Sequence, residues 1–131
     1  MTDTTKGTVL LVEDDEFLRS LIVRKLAEEG YAVTIAKDGE EALMHLGSAL
    51  PDLMLLDLVL PGFSGFELVA KLREQGKGTQ VSFMVLSNSA ESQNREQAEE
   101  LGAADYLVKA QSTPSDIVAR IDTWFAQHHA A

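Results

Sequence analysis

The chain has 131 residues, 45% of them hydrophobic and 24% charged, enough for one soluble domain with a sizeable core but not for two. The absence of cysteine excludes disulfides and thiolate metal sites. A net charge of −10 with eleven scattered basic residues argues against direct contact with nucleic acid, which needs clustered Lys and Arg. The first residues hold no apolar signal-peptide core, and Asp57 interrupts the longest apolar run well short of membrane-spanning length. A soluble cytoplasmic protein is therefore expected.

In chain order, a first strand is expected near 8–13, where Val9-Leu10-Leu11-Val12 runs into Glu13 and Asp14. A helix near 15–29 follows, with Leu18, Leu21, Ile22 and Leu26 at core-facing spacing and Gly30 just past its end. A second strand near 31–36 leads to a helix near 39–49, where Asp38 and Glu41 have capping-box spacing and His45 is expected on the outer face. The third strand, near 52–57, reads Leu53-Met54-Leu55-Leu56 and closes on Asp57. Ser64 and Glu67 form the clearer capping box, opening a helix near 65–75.

Phe83-Met84-Val85-Leu86 marks a fourth strand near 81–87 that ends in Ser87. The helix after it, near 90–101, is almost wholly polar from Glu91 to Glu100, with Ala90, Ala98 and Leu101 as its inward positions. So little apolar area suits either a mobile, partner-binding element or a plain solvated surface helix. Gly102 follows. The fifth strand, near 104–108, carries Tyr106-Leu107-Val108 into Lys109, and Thr113 caps a last helix that begins at Pro114 and runs to about 127. His128 and His129 fall in the tail without a second metal-ligand cluster. Five alternations of strand and helix imply βαβ units and a mainly parallel sheet, with no repeat and no linker to a second domain.

Parallel-sheet folds gather strand ends at one edge, where open α/β sheets bind ligands. Three carboxylates (Glu13, Asp14, Asp57), the Ser87 hydroxyl and the Lys109 ammonium would then share one pocket, a set suited to a divalent cation and a phosphoryl group. Adjacent acids crowded against a third need a balancing cation, and Mg2+ takes oxygen ligands and works with phosphates. The plainer role for Asp14 or Asp15 is to cap the first helix. A carboxylate such as Asp57 can attack a phosphoryl group and become an acyl phosphate, with positioning and charge neutralisation supplied around it. Ser87 could hydrogen-bond one phosphoryl oxygen and Lys109 neutralise another.

Taken together and in order, VLLVEDDEFLR, DLMLLDLVLPGFSGFEL, VSFMVLSNSA and LGAADYLVKA resemble the receiver domain of two-component response regulators over nearly the whole chain. The resemblance implies a doubly wound, flavodoxin-like (βα)5 fold with strand order 2-1-3-4-5. It implies that Asp57 is the phosphoacceptor, served by a histidine kinase or a phosphotransfer protein. Glu13, Asp14 and Asp57, with the backbone carbonyl of Val59, would hold Mg2+ or Mn2+. Ser87 and Lys109 would bind the phosphoryl group, and Tyr106 matches the family's aromatic switch position.

Three departures stand out. Glu13 replaces the commoner Asp, and Ser87 the frequent Thr. Ala110 stands where many receivers carry a proline after the lysine, often with a cis bond. A cis Lys109–Ala110 bond would cost about 2.5–4 kcal/mol without proline, so either a strained peptide or a rearranged trans loop is expected over 109–113. Apolar Val59 and small Ser89 offer little to hold a hydrolytic water, which predicts a long-lived phosphorylated form.

Two rivals share the fold or the chemistry. A haloacid-dehalogenase-type phosphatase would need its Asp nucleophile after the first strand, where Glu13 stands. A flavodoxin-like cofactor binder would need phosphate-binding groups where Glu13-Asp14-Asp15-Glu16 would repel them. A receiver-like module that has lost phosphorylation is disfavoured by the complete acidic, hydroxyl and lysine set. The expected protein is thus a single receiver domain over 1–131, with its core at about 8–127. It is a switch rather than an enzyme acting on other substrates. Its fourth helix, fifth strand and fifth helix would form the surface for a protein partner or a homodimer.

Overall fold

The computed structural model describes residues 5–76, 81–88 and 91–128; Ser89, Ala90 and His129, named above, lie outside them. Five strands, β1 (Thr8–Val12), β2 (Ala32–Ala36), β3 (Leu53–Asp57), β4 (Ser82–Ser87) and β5 (Asp105–Val108), form one parallel sheet in the order β2-β1-β3-β4-β5. The helices are α1 (Glu16–Glu28), α2 (Gly39–Ser48), α3 (Gly65–Glu74), α4 (Ser92–Glu100) and α5 (Pro114–His128). The doubly wound fold and its strand order are those expected.

Strand alternation divides the core in two. Leu10, Val12, Met54, Leu56, Phe83 and Val85 point to one face and pack under Ala42, Leu46, Leu68, Leu72 and Ala98 of α2, α3 and α4. Val9, Leu11, Leu53, Leu55, Met84 and Leu86 point to the other, against Ile22, Leu26, Ile117, Ile121 and Phe125 of α1 and α5. Between their end residues the three inner strands are therefore apolar at every position, as a sheet covered on both faces requires.

Helix starts follow local chemistry. The Ser64–Glu67 capping box is complete, whereas Asp38 accepts from Glu41 N–H at 2.8 Å but Glu41 reaches back to Lys37 N–H instead. Thr113 and Asp116 cap α5 reciprocally, at 3.1 and 2.9 Å. Gly30 and Gly102 take φ values of 97° and 90°, the left-handed conformation that ends a helix. His45 is half-buried rather than on the outer face: it lies beside Thr8, Thr34 and Leu50, because α2 rests on the edge of the sheet near the starts of β1 and β2.

The segment after β5 settles one open expectation. No peptide bond among the described residues is cis; Lys109–Gln111 instead makes a trans 3-10 turn, closed by Ser112 N–H donating to Lys109 O at 3.4 Å. Without proline, the cost of a cis amide leaves the trans turn as the cheaper route into α5.

Candidate functional site

The carboxyl ends of β1, β3, β4 and β5 converge at one edge of the sheet. Glu13, Asp57 and Ser87 are the only polar residues buried there or elsewhere among the described residues. In register, Asp57 lies beside Leu86 and Ser87 beside Val108, so hydroxyl and carboxylate sit on adjacent strand ends. Gly65 permits this crowding, since a Cβ there would stand 2.5 Å from the Asp57 carbonyl oxygen.

Lys109 Nζ lies 2.8 Å from Asp57 Oδ2 and 2.7 Å from Glu13 Oε1. The other Asp57 oxygen, Oδ1, accepts from Val59 N–H at 3.0 Å, while the Val59 side chain is 74% exposed at the mouth of the site. Glu13 is 0% exposed, and its Oε2 accepts from Asp15 N–H at 3.1 Å. Burial, opposed by Lys109 and the Asp15 N–H and assisted by the Asp57 charge, pushes the Glu13 carboxyl up to about 7. Burial alone would lower the Lys109 ammonium, but its bonds to Asp57 and Glu13 outweigh that and raise it.

The carboxylate oxygens of Glu13, Asp14 and Asp57 lie within 4.8 Å of one another. Glu13 Oε1 is fully buried, with the Lys109 ammonium at 2.7 Å as its partner, so the positive charge of one side chain serves two buried acids. Three carboxylates gathered so closely, with one ammonium between two of them, leave net negative charge and hard oxygen donors that fit a Mg2+ or Mn2+ ion. The longer Glu arm at this position accommodates the lysine and the helix turn together.

The structure separates the two acids that the sequence left ambiguous. Asp15 is the N-cap of α1, accepting from Leu18 N–H at 3.0 Å. Asp14 is exposed and has no side-chain partner among the described residues, which leaves it open to the cluster. Tyr106 is buried, at 6% exposure, with the Arg95 guanidinium 4.8 Å above its ring. Sequence reasoning missed Arg19, whose Nη1 donates to the carbonyls of Glu13 and Asp14 at 3.0 and 3.5 Å. Its place on the first turns of α1, within reach of the acid pair, was the available signal.

Comparisons with known proteins agree on one family. Residues 9–122 match the family model for the response regulator receiver domain. The phosphate regulon transcriptional regulatory protein PhoB of Rhizobium meliloti is 38% identical over 113 residues, 86% of this chain and 49% of that protein. The Francisella response regulator 1452 receiver domain superposes with a TM-score of 0.83 at 27% identity, covering 93% of this chain and 98% of that one. The response regulator protein TrrA of Thermotoga maritima, in complex with Mg2+-BeF, gives 0.75 at 29% identity, covering 90% and 97%. The chain spans about half the length of curated relatives such as this PhoB.

Proposed function

Because the chain belongs to the response regulator receiver domain family, we propose that it is a phosphorylation-dependent switch whose phosphoacceptor is Asp57. The double contact of Lys109 with Asp57 and Glu13 carries this reading. It sets an ammonium and a metal-compatible acid cluster around one carboxylate. In the transfer, an Asp57 oxygen attacks the phosphorus of a phosphohistidine on a histidine kinase or phosphotransfer protein. The P–N bond breaks with its electron pair going to the histidine nitrogen, and an aspartyl phosphate forms.

Glu13, Asp14 and Asp57, with the Val59 carbonyl, would hold Mg2+ or Mn2+. Such an ion supplies positive charge against the phosphoryl oxygens as charge redistributes. Lys109 exchanges its bond to Asp57 Oδ2 for one to a phosphoryl oxygen, and the Ser87 hydroxyl donates to another. The TrrA complex with Mg2+-BeF supports the same ligand chemistry here. Phosphorylation then biases Ser87 and Tyr106, and through them the surface of α4, β5 and α5 that a protein partner or a second copy would read.

Phosphoryl transfer on this chain is self-directed, so the protein is a switch rather than an enzyme with external substrates. No described helix is long and apolar enough to cross a membrane. A cytoplasmic setting is part of the same proposal, drawn from the response regulators the chain resembles. The relatives' names include transcriptional regulators; with a net charge of −10, this domain would act on such an output through protein contacts.

Intact mass after incubation with Mg2+ and acetyl phosphate tests the acceptor. The wild type is expected to gain one phosphoryl group and Asp57→Ala none. Gain in both would mean another nucleophile, and gain in neither would leave a phosphorylation-independent module.

A further inference from the structure

Each acid of the cluster is held differently. Glu13 is fixed by burial, by Lys109 and by the Asp15 N–H. Asp57 is fixed by Lys109 and the Val59 N–H. Asp14 is exposed, and its carboxylate has no partner among the described residues. Its direction therefore depends on the backbone that carries it.

That backbone is bracketed by one side chain. The Glu13 carbonyl belongs to the peptide before Asp14 and the Asp14 carbonyl to the peptide after it. Arg19 Nη1 donates to both, at 3.0 and 3.5 Å. Pinning the two peptide planes fixes φ and ψ at Asp14, and with them the direction of its Cβ. The Arg19 backbone is itself anchored in the first turn of α1, its N–H donating to Asp15 O at 2.9 Å. A charged donor to a carbonyl is among the stronger neutral-acceptor bonds, and the planar guanidinium loses little freedom in making it.

We propose that Arg19 is a positioning residue for the cation site, holding the β1–α1 turn so that Asp14 faces Glu13 and Asp57. The proposal rests on the cation-binding reading above. It makes a prediction whose sign separates it from simple electrostatics. Removing a positive charge beside an acid cluster would, through charge alone, tighten cation binding. Loss of positioning weakens it.

The test is calorimetric titration of the metal-free protein with Mg2+, beside thermal unfolding without the ion. Arg19→Ala is expected to raise the Mg2+ dissociation constant about tenfold, the lower end of what outer-shell partners of metal ligands contribute. Arg24→Ala, which removes the same charge from an exposed position on the same helix, should leave it unchanged. With acetyl phosphate, Arg19→Ala should need more Mg2+ for half-maximal phosphorylation yet approach the wild-type rate at saturation. An unchanged or tighter Mg2+ constant in Arg19→Ala overturns the proposal. Failure of the wild type to bind Mg2+ overturns the cation site itself. Should Arg19→Ala not fold, Arg19→Met carries the test: it keeps an apolar stem along the helix but has no donor for either carbonyl, so an unchanged constant there equally overturns the positioning role.

Discussion

The two ends of the sheet are built by opposite means. At the carboxyl ends of the strands, Glu13, Asp57 and Ser87 are buried polar groups around Lys109, with two buried carboxyls drawn to one ammonium. At the opposite end, Tyr31 and Trp124 each pack against Phe125 with ring centroids 4.9 Å apart, and His128 stacks on Trp124 at 4.5 Å. Tyr31 O–H also donates to Asp122, which draws in Lys6 at 3.8 Å. One end concentrates electrostatic cost where a ligand would relieve it; the other is satisfied in the free protein. Packing stability and the proposed phosphoryl chemistry are thus segregated along the strands, and mutations should separate them.

The largest stability loss is expected at the aromatic end. Trp124→Ala should cost about 3–5 kcal/mol by removing a large, mostly buried side chain, read as a lower urea midpoint. Under conditions where the variant remains folded, the phosphorylation proposed at Asp57 should persist, because Trp124 packs on Phe125 and His128 at the far end of the sheet. Loss of phosphorylation by a folded Trp124→Ala would break the segregation.

The acid end should show the converse, a stability that falls as pH rises. Glu13 is raised from 4.5 to about 7 in the folded protein, so between those values the native state holds a proton that the unfolded chain has released. Its contribution is fully present below 4.5 and is lost as pH climbs to about 7. At 1.36 kcal/mol per unit the loss is about 3 kcal/mol. Urea unfolding in EDTA across that window should show this falling component in wild type relative to Glu13→Gln, which cannot titrate. Parallel wild-type and Glu13→Gln curves would mean that the buried carboxyl is ionised throughout.

Much of this division could be read from residue order. Strand ends are legible because buried parallel strands are continuous apolar runs, so Glu13, Asp57, Ser87 and Lys109 stand out where the runs stop. Helix bounds are legible within a residue or two because Ser64, Thr113, Gly30 and Gly102 act locally. What sequence could not supply is whatever depends on through-space geometry. Asp14 and Asp15 are equivalent as letters, and only the turn decides that Asp15 caps α1 while Asp14 stays open. The reach of Lys109 to two acids, the half-buried His45 and the grip of Arg19 on two carbonyls all depend on tertiary placement. The trans turn at Lys109–Gln111 is intermediate: missing proline posed the question, and the fold answered it.

The smallest effect concerns α4, the element that borders the acid end and is least firmly held. Ala98 is its only buried residue, and its N-terminus has no side-chain cap. Its C-terminal end is tied by Arg73 donating to Leu101 O. Near its N-terminal half, the Arg95 guanidinium over Tyr106 joins α4 to β5. An exposed cation–π contact contributes about 0.5–1 kcal/mol, so Arg95→Ala should speed local amide exchange in α4 about two- to fivefold while leaving α3 and α5 unchanged. Hydrogen exchange read by mass spectrometry resolves such a change when global stability is barely altered. Arg95→Lys, which keeps the charge but not the planar stack, should fall between. Equal acceleration across α3, α4 and α5 would show that Arg95 supports the whole fold. Acceleration confined to α4 would identify the contact as a weak latch beside the acid cluster, cheap enough to be released by the rearrangement of Tyr106 proposed above.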